Sequence, residues 1–375
     1  MHFHEIIGQQ AAIDHIREAV AHNRLPHALM LTGPAGVGKL ALANAIAQYV
    51  NCQAPQEGES CGKCPNCTKI RKGIHPDIRY ILPIVSKKEG SKQWLTDDYF
   101  DQFRPGFFSD PYFSFGQWQR TLGGESKQLM ISVHEMREIK RSLALKAFEA
   151  PYKVVILWNA ERVNVQGANA FLKLLEEPPD RTLILMTCSD TSQLLATINS
   201  RCQQIRLGRI RPEAIEAHLV AKKGITPARA KEIATIAEGS MAHAYDYLEE
   251  STHEMSSLYM EWLRAAYTGK FDKISAQVDK IHKESREFQK LFLDLAVKKI
   301  RDSLMFHLDA QQLALVTETE RAFQEKFSQV ITPLRVERIA DVLENSRKHI
   351  SGNANPQMVF TSLSLEIHQI LRGGA

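Results

Sequence analysis

The sequence GPAGVGKL at residues 33–40 fits the pattern GxxxxGK of a phosphate-binding loop, or P-loop. In such a loop Gly33, Gly36 and Gly38 let successive backbone N–H groups point into one concavity that can hold phosphate oxygens. Lys39 would reach the β- and γ-phosphates, and the helix that follows would add a favourable dipole. These four residues are the predicted binding residues for ATP or ADP. The pattern does not distinguish a loop that binds nucleotide from one kept only as a structural turn.

Apolar runs and helical patterns on both sides of the loop have the order of a parallel α/β fold. Residues 28–32 (ALMLT) predict a buried strand before the loop. Residues 40–47 (LALANAIA) predict a helix after it, because strong helix formers recur there at helical spacing. Farther along, we predict strands at 153–157 and 182–187 and helices at 133–147 and 167–177. The alternation predicts a domain built on a central parallel sheet.

The positions that should hold Mg²⁺ beside the phosphates differ from those of an active ATPase. A Ser or Thr hydroxyl normally follows the P-loop lysine, but Leu40 occupies this position. The strand that starts at residue 153 should end in an acidic pair, and Trp158 and Asn159 stand there instead. Glu161 lies two residues farther on and would serve only in a different register. Because hydrolysis needs both the metal and a polarised water, we predict that most of the ATPase chemistry is lost.

Four cysteines, Cys52, Cys61, Cys64 and Cys67, have the spacing C-x8-C-x2-C-x2-C. Two overlapping C-x2-C steps bring sulfurs onto a tight turn, where a tetrahedral Zn²⁺ binds thiolates at ~2.3 Å. In a reducing cytoplasm such a cluster indicates metal binding rather than disulfides. We predict a closed, structural zinc site, with an iron–sulfur cluster as the alternative for this soft ligand set. Cys188 lies on a predicted buried strand and is expected to be a core residue.

Changes in composition divide the chain into three predicted domains. Residues 1–208 form the α/β domain, with the cysteine module at 52–67. Residues 84–127 carry many aromatic side chains among Gly and Pro, and predict a long loop or insertion. Its aromatics would pack on the domain's own flank or contact a partner or DNA. The patterns beyond are helical only, with a small unit at 209–249 and an all-helical region at 250–375.

The overall composition is that of a soluble globular protein. The chain has 375 residues, of which 44% are hydrophobic and 24% are charged. No apolar run approaches the ~18 residues that span a bilayer, so no membrane contact is expected. The first five residues, MHFHE, lack a basic segment followed by an apolar one, and we expect a cytoplasmic protein. The net charge of +4 permits a DNA-facing surface without requiring one.

Several motifs in order along the chain resemble those of bacterial clamp-loader ATPases of the AAA+ class. They are IIGQQ at 6–10, the P-loop, the four cysteines, HPD at 75–77, ANAFLKLLEEPP at 168–179 and SRC at 200–202. The last two are the most specific of the set. The resemblance covers residues 1 to about 208 well, and the helical unit after it moderately. It implies an AAA+ P-loop domain with a zinc-binding module, a small helical lid domain and an all-α collar domain.

Within this family, the chain is more similar to the delta-prime type of subunit than to the gamma/tau motor. The motor keeps the P-loop hydroxyl, the acidic strand end and an arginine in the lid, where this chain has Ala242. The SRC triplet is retained nevertheless. The resemblance therefore implies that Arg201 acts in trans, stabilising charge on the γ-phosphate bound by a neighbouring subunit.

The resemblance also implies partners. They are the motor (gamma/tau) and delta subunits, the sliding clamp and primed DNA, with DNA held mainly through its phosphates. Two alternatives stay open on the sequence. One is an active AAA+ motor or helicase loader that uses Glu161 in a changed register. The other is a zinc-dependent DNA-binding module with a vestigial P-loop.

Overall fold

The computed structural model describes residues 1–85, 88–89, 92–123, 129–248, 251–284, 286–311, 314, 318–352 and 354–373. The strands assigned within these residues are β1 (Ala28–Thr32), β2 (Ile78–Ile81), β3 (Ile84–Val85), β4 (Lys88–Glu89), β5 (Lys92–Gln93), β6 (Leu129–Met130), β7 (Lys153–Leu157), β8 (Thr182–Cys188) and β9 (Gln203–Arg206). Short 3-10 turns occur at Phe3–Glu5, Thr96–Asp98, Ala160–Arg162 and Thr191–Gln193.

The described helices follow the strands in alternation and then dominate the second half of the chain. They are α1 (Gln10–Ala21), α2 (Lys39–Val50), α3 (Pro65–Arg71), α4 (Phe100–Ser109), α5 (Phe115–Thr121), α6 (Val133–Ala144), α7 (Val165–Glu176), α8 (Ala196–Asn199), α9 (Pro212–Lys223), α10 (Pro227–Ile236), α11 (Met241–Leu248), α12 (Ser251–Thr268), α13 (Phe271–Lys283), α14 (Arg286–His307), α15 (Glu318–Phe327), α16 (Pro333–Ser351) and α17 (Pro356–Arg372).

The main sheet has five parallel strands in the order β2-β7-β8-β1-β9. This confirms the predicted parallel α/β domain. In the register, Thr32 of β1 lies beside Cys188 of β8, and Leu157 of β7 beside Met186. The carboxyl ends of β1, β7 and β8 therefore meet at one edge, where open α/β sheets bind their ligands.

Both faces of the sheet are covered, which explains the unbroken apolar character of its strands. Along β1, Leu29 and Leu31 belong to a core cluster with α2, whereas Ala28 and Met30 belong to a cluster with α6 and α7. Alternate residues of a strand point to opposite faces, so helices lie on both sides. The predicted buried Cys188 is indeed fully buried on β8.

The segment 84–127 was predicted to be a long loop or insertion. The prediction of a loop is wrong for much of the segment. The segment contains α4 and α5, and part of it (86–87, 90–91 and 124–127) lies outside the described residues. Phe103 and Phe107 of α4 are fully buried in the core of the α/β domain. Burying a Phe side chain contributes about 1.5–3 kcal/mol, so two of them offset the cost of about 3 kcal/mol for Pro105 inside the helix.

The described chain divides into two compact units, Met1–Ala230 with Ala237–His243 and Lys231–Ile236 with Ala244–Ala375. The second unit is helical throughout its described residues and has its own apolar core. Its last helix, α17, buries Leu363, Ile367 and Leu371. The three-domain division at residues 208 and 249 stays a prediction. Among the described residues, no helix has the length and apolar character needed to cross a membrane.

Candidate functional site

The P-loop lies between β1 and α2, as the sequence predicts. Gly36 and Gly38 have φ angles of 75° and 91°, in the left-handed region that favours glycine. Gly38 is the residue before the first turn of α2, which begins at Lys39. The structure therefore places the four predicted phosphate-binding residues at a helix N-terminus, the geometry in which backbone N–H groups bind anions.

Lys39 is buried, with 7% of its surface exposed, and its amine points back into the loop. Its Nζ donates to the backbone oxygens of Gly33 and Pro34, each at 2.6 Å. Burial lowers the pKa of Lys39 to about 8, against a smaller raising effect of the Glu161 carboxylate. In this arrangement the ammonium is held by the loop's own carbonyls.

The positions beside the loop that should supply Mg²⁺ ligands hold packed side chains. Leu40 is buried in the core. Trp158 packs in an aromatic cluster, with ring centroids 5.6 Å from Phe103 and 6.0 Å from Phe115. Asn159 has a left-handed φ of 56°, and its backbone N–H donates to the hydroxyl of Thr187 at 2.9 Å. Neither Leu40 nor Trp158 carries an oxygen that could bind a metal ion.

Glu161 lies in the 3-10 turn after Asn159, at the same sheet edge as the P-loop. Its Oε1 accepts a hydrogen bond from the backbone N–H of Ser189 at 3.1 Å. The carboxylate also acts electrostatically on Lys39 and helps to raise the pKa of the Cys188 thiol, for which burial is the main cause. A carboxylate is therefore present near the P-loop lysine, although not at the expected positions.

The segment at residues 240–242 packs directly on the P-loop. The backbone N–H of Met241 donates to the oxygen of Gly36 at 3.0 Å. A Cβ atom on Gly36 would lie 2.1 Å from Ser240 Oγ and 2.8 Å from Ala242 Cβ, so only glycine fits there. Ala242, predicted to stand where a motor has its lid arginine, is thus at the loop and has no charged group to offer.

Tyr112 also contacts the P-loop, which sequence reasoning missed. Its hydroxyl accepts a hydrogen bond from the backbone N–H of Ile7 at 2.7 Å, and only 3% of the residue is exposed. A Cβ atom on Gly38 would lie 3.1 Å from the Tyr112 ring. The ring of His218, on α9, meets it edge-on with centroids 6.2 Å apart. The only indication in the sequence was the aromatic content of 84–127.

The four predicted metal ligands come together. The Sγ atoms of Cys52, Cys61, Cys64 and Cys67 all lie within 4.8 Å of one another, and those of Cys61 and Cys67 are 4.0 Å apart. A tetrahedron with Zn–S bonds of ~2.3 Å has edges of ~3.8 Å, so the cluster needs only a small contraction. Cys64 precedes α3 and Cys67 lies in its first turn, which fixes both sulfurs relative to each other.

Backbone N–H groups point at these sulfurs, as in thiolate sites. Cys61 N–H donates to Cys52 Sγ at 3.1 Å, and Cys64 N–H donates to Cys61 Sγ at 3.3 Å. Hydrogen bonds from the backbone of Lys63 and Cys64 lower the pKa of the Cys61 thiol to about 6, whereas burial raises the pKa of the Cys52 and Cys67 thiols. Metals bind the thiolate form, so the donor set fits a metal ion. Together the four cysteines can hold a metal with no position left for a substrate, which suits a structural role.

Arg201 lies between α8 and β9 with 34% of its side chain exposed. Its guanidinium contacts Glu176 Oε1 at 2.7 Å and donates to the backbone oxygen of Thr197 at 2.9 Å. Glu176 ends α7 and belongs to the LLEEPP motif. The two most specific motifs of the sequence are therefore joined through this ion pair, a contact that the sequence did not predict.

Asp77, from the HPD motif, has a structural position. Its carboxylate accepts hydrogen bonds from the backbone N–H groups of Phe148, Glu149 and Ala150 at 2.7–2.9 Å. Burial acts to raise the pKa of Asp77, but these bonds outweigh it and lower the pKa. The motif thus anchors the segment that leads into β7.

A protein-family model described as "DNA polymerase III, delta subunit" matches residues 8–211, more than half of the chain. The DNA polymerase III subunit delta' of Bacillus subtilis is 25% identical over 357 residues, covering 94% of this chain and 93% of that protein. The subunit delta' of Pseudomonas aeruginosa is 34% identical over 178 residues, or 48% of this chain and 42% of that protein. The subunit tau of B. subtilis is 22% identical over 392 residues, covering 98% of this chain and 61% of that protein.

The matched region spans the P-loop, the cysteine module, the LLEEPP helix and Arg201. The two delta' relatives agree with the resemblance that the motifs indicated. This chain belongs to the DNA polymerase III delta subunit family and is a clamp-loader subunit of the delta-prime type.

Proposed function

We propose that this chain is a non-hydrolysing subunit of the clamp loader that supplies Arg201 in trans to the ATP bound by a neighbouring subunit. One observation carries the proposal. Leu40 and Trp158 occupy two places beside the P-loop that require oxygen ligands for Mg²⁺, and both side chains are packed into the apolar core. The chain then serves its complex through assembly and through Arg201 rather than through its own turnover.

Arg201 has the properties that a trans-acting arginine needs. Its guanidinium is on the surface, yet it is oriented by the Glu176 carboxylate and the Thr197 carbonyl. On assembly, a neighbour's γ-phosphate would replace Glu176 as the anionic partner. An arginine that stabilises charge on a transferred phosphoryl group accelerates the reaction by roughly 10³–10⁵.

The remaining parts of the chain have proposed roles that follow from the same function. A Zn²⁺ bound by the four cysteines would fix α3 against the end of α2. Residues 209–249 would form the lid and residues 250–375 the collar that joins this chain to the motor (gamma/tau) and delta subunits. The assembled complex would place the sliding clamp on primed DNA and contact the DNA through phosphates, independently of its sequence.

The test is the ATPase activity of the chain alone and of the reconstituted complex with Mg²⁺. The isolated chain is expected to show no turnover. In the complex, Arg201→Ala should reduce hydrolysis at the ATP site that it faces, with assembly intact, and Arg201→Lys should not restore it because lysine lacks the planar fork. Arg206→Ala, an exposed arginine on β9, is the matched control. Full activity of the Arg201→Ala complex would contradict the proposal.

A second candidate, an active motor, is favoured by one observation. The Glu161 carboxylate lies near enough to Lys39 to influence its pKa, and it would supply the negative charge that an unusual Mg²⁺ arrangement requires. This candidate requires steady ATP turnover by the purified chain, abolished by Lys39→Ala and by Glu161→Gln. ATP turnover by the purified chain therefore distinguishes the two candidate functions.

A further inference from the structure

We infer that Tyr112 is an internal ligand of the P-loop, which occupies the nucleoside side of the site and closes it to ATP and ADP. This inference rests on the proposed function and deepens it, because it names a group that would keep nucleotide out of the loop. The loss of Mg²⁺ ligands would explain why the chain does not hydrolyse nucleotide. It would not by itself prevent nucleotide from binding, since the glycines and Lys39 are all in place.

The Tyr112 ring lies among three elements that surround the loop. Within the first compact unit it contacts the N-terminal segment at Ile7, the P-loop at Gly38 and helix α9 at His218. A nucleotide with its phosphates in the loop must place its sugar and base beside the loop's rim. At that rim the Tyr112 ring already lies against Gly38.

The contacts of Tyr112 are of the kinds that a nucleoside base makes. Tyr112 offers a flat aromatic ring and one hydrogen-bond acceptor, the hydroxyl oxygen that receives the Ile7 N–H at 2.7 Å. A purine base offers the same two features, a flat ring and acceptor nitrogens. The buried side chain therefore satisfies a backbone donor that would otherwise be available to a base.

The residues on both sides of Tyr112 stabilise its position against the loop. Asp110 Oδ1 accepts the backbone N–H of Tyr112 at 2.9 Å, and its Oδ2 lies 3.5 Å from the ammonium of Lys223 on α9. The next residue, Phe113, packs on Phe103 with ring centroids 5.8 Å apart. These contacts fix the turn on both sides of Tyr112. The fold itself therefore holds the ring against the loop.

On the phosphate side of the loop, polar groups are already hydrogen-bonded within the protein. Lys39 Nζ donates to Gly33 and Pro34, and Gly36 receives the N–H of Met241. Nucleotide would have to draw the Lys39 ammonium away from the Gly33 and Pro34 carbonyls, in addition to displacing Tyr112. A phosphate oxygen can replace these carbonyls as acceptor, whereas the ring must leave before a nucleoside can enter.

The experiment measures binding of ATP and of ADP to the full chain by calorimetry, with Mg²⁺ present. Wild type is expected to show no saturable binding. Tyr112→Ala and Tyr112→Leu should both bind nucleotide saturably, at least tenfold more tightly than any residual binding by wild type. Adding Lys39→Ala to either variant should abolish this gain in affinity, which would locate the bound nucleotide at the P-loop. Tyr152→Ala is the matched control, since this tyrosine packs on the same core but precedes β7, at the opposite end of the strand from the loop.

The leucine variant keeps most of the apolar volume, so at least one variant should fold, as judged by circular dichroism. Saturable, Lys39-dependent binding to wild type as tight as to the variants overturns the inference. So does a folded variant that binds no better than wild type. Neither result bears on the role of Arg201. Loss of the complex's ATPase activity in Arg201→Ala would still support the proposed function, even if the inference about Tyr112 were wrong.

Discussion

Glu135 is a buried carboxyl group on α6, with 1% of its surface exposed. Its Oε2 accepts the backbone N–H of Thr96 at 2.9 Å, and its Oε1 has no hydrogen-bond partner among the described residues. Burial raises the pKa of Glu135 to about 7; the Thr96 bond and the charge of Arg79 oppose the rise, and Asp97 adds to it. The folded protein therefore holds a proton here that the unfolded chain releases near pH 4.5.

The stability of the protein should fall as the pH rises between these two values, because the folded state binds more protons there than the unfolded state. Glu135→Gln keeps an oxygen acceptor for Thr96 and carries no charge. At about pH 8 we expect the variant to be more stable than wild type by up to about 3 kcal/mol, with little difference near pH 4.5. Urea denaturation across this range measures it. Glu138→Gln, on the same helix, is the control; an equal gain at every pH for Glu135→Gln would show that the carboxyl does not titrate as described.

At the scale of single residues, the sequence predicted what depends on local spacing and missed what depends on the fold. The glycines, Lys39 and the four cysteines lie within short motifs, so their convergence follows from the chain itself. Tyr112 meets Ile7 across 105 residues of sequence, and Arg201 meets Glu176 across 25. No periodic pattern in the sequence predicts such a contact, because the contact forms only when separate elements pack together.

At the scale of elements, the same distinction separates the strands from the segment 84–127. β1, β7 and β8 are buried on both faces, so their composition alone identifies them. Helix α4 contains Pro105 and Gly106, which normally indicate a loop, and its aromatic spacing was the only opposing indication. Tertiary burial of Phe103 and Phe107 overrode the local preference, and sequence patterns do not report tertiary burial.

The cysteine module makes a prediction about the elements it joins, α2 and α3. Removing the metal with a chelator should lower the melting temperature and expose residues 52–71 to protease, because three of the four sulfurs lie in the short turn and helix after α2. Elemental analysis should find one zinc per chain in the native protein. Cys64→Ser should lose the metal, and Cys202→Ser should keep it.

Two results would contradict a zinc site in this module. Iron with visible absorbance would favour the cluster that the soft ligand set also allows. Native protein that retains four thiols reactive with a thiol reagent, with no metal, would show that the sulfurs are close without being ligands. In either case the P-loop conclusions stand, since none of them uses the cysteines.

At the scale of the whole molecule, the chain carries separate apolar cores. Among the described residues, the clusters of the α/β domain end at Leu207, and the cluster of the second unit runs from Met255 to Leu371. Composition showed the change from α/β to helical patterns near 208, but the chain passes from the first compact unit to the second between residues 230 and 244. A change of pattern marks where strands end, whereas a unit boundary depends on which helices share a core.

The separate core of the second unit leads to a prediction about assembly. If residues 250–375 form the collar, a chain shortened to end at residue 248 should keep the α/β core and the metal, yet lose tight binding to the motor subunits. Protein–protein interfaces of stable complexes bury about 1,200–2,000 Å², and removing the elements that supply this area should weaken binding by orders of magnitude. Size-exclusion chromatography of the mixture, with circular dichroism and zinc content of the shortened chain, measures both parts. Full-length Arg201→Ala is the control, because it should assemble normally while failing in catalysis. A folded, zinc-loaded short chain that still assembles would place the assembly surface in the α/β domain and would remove the reason for assigning the helical unit to the collar.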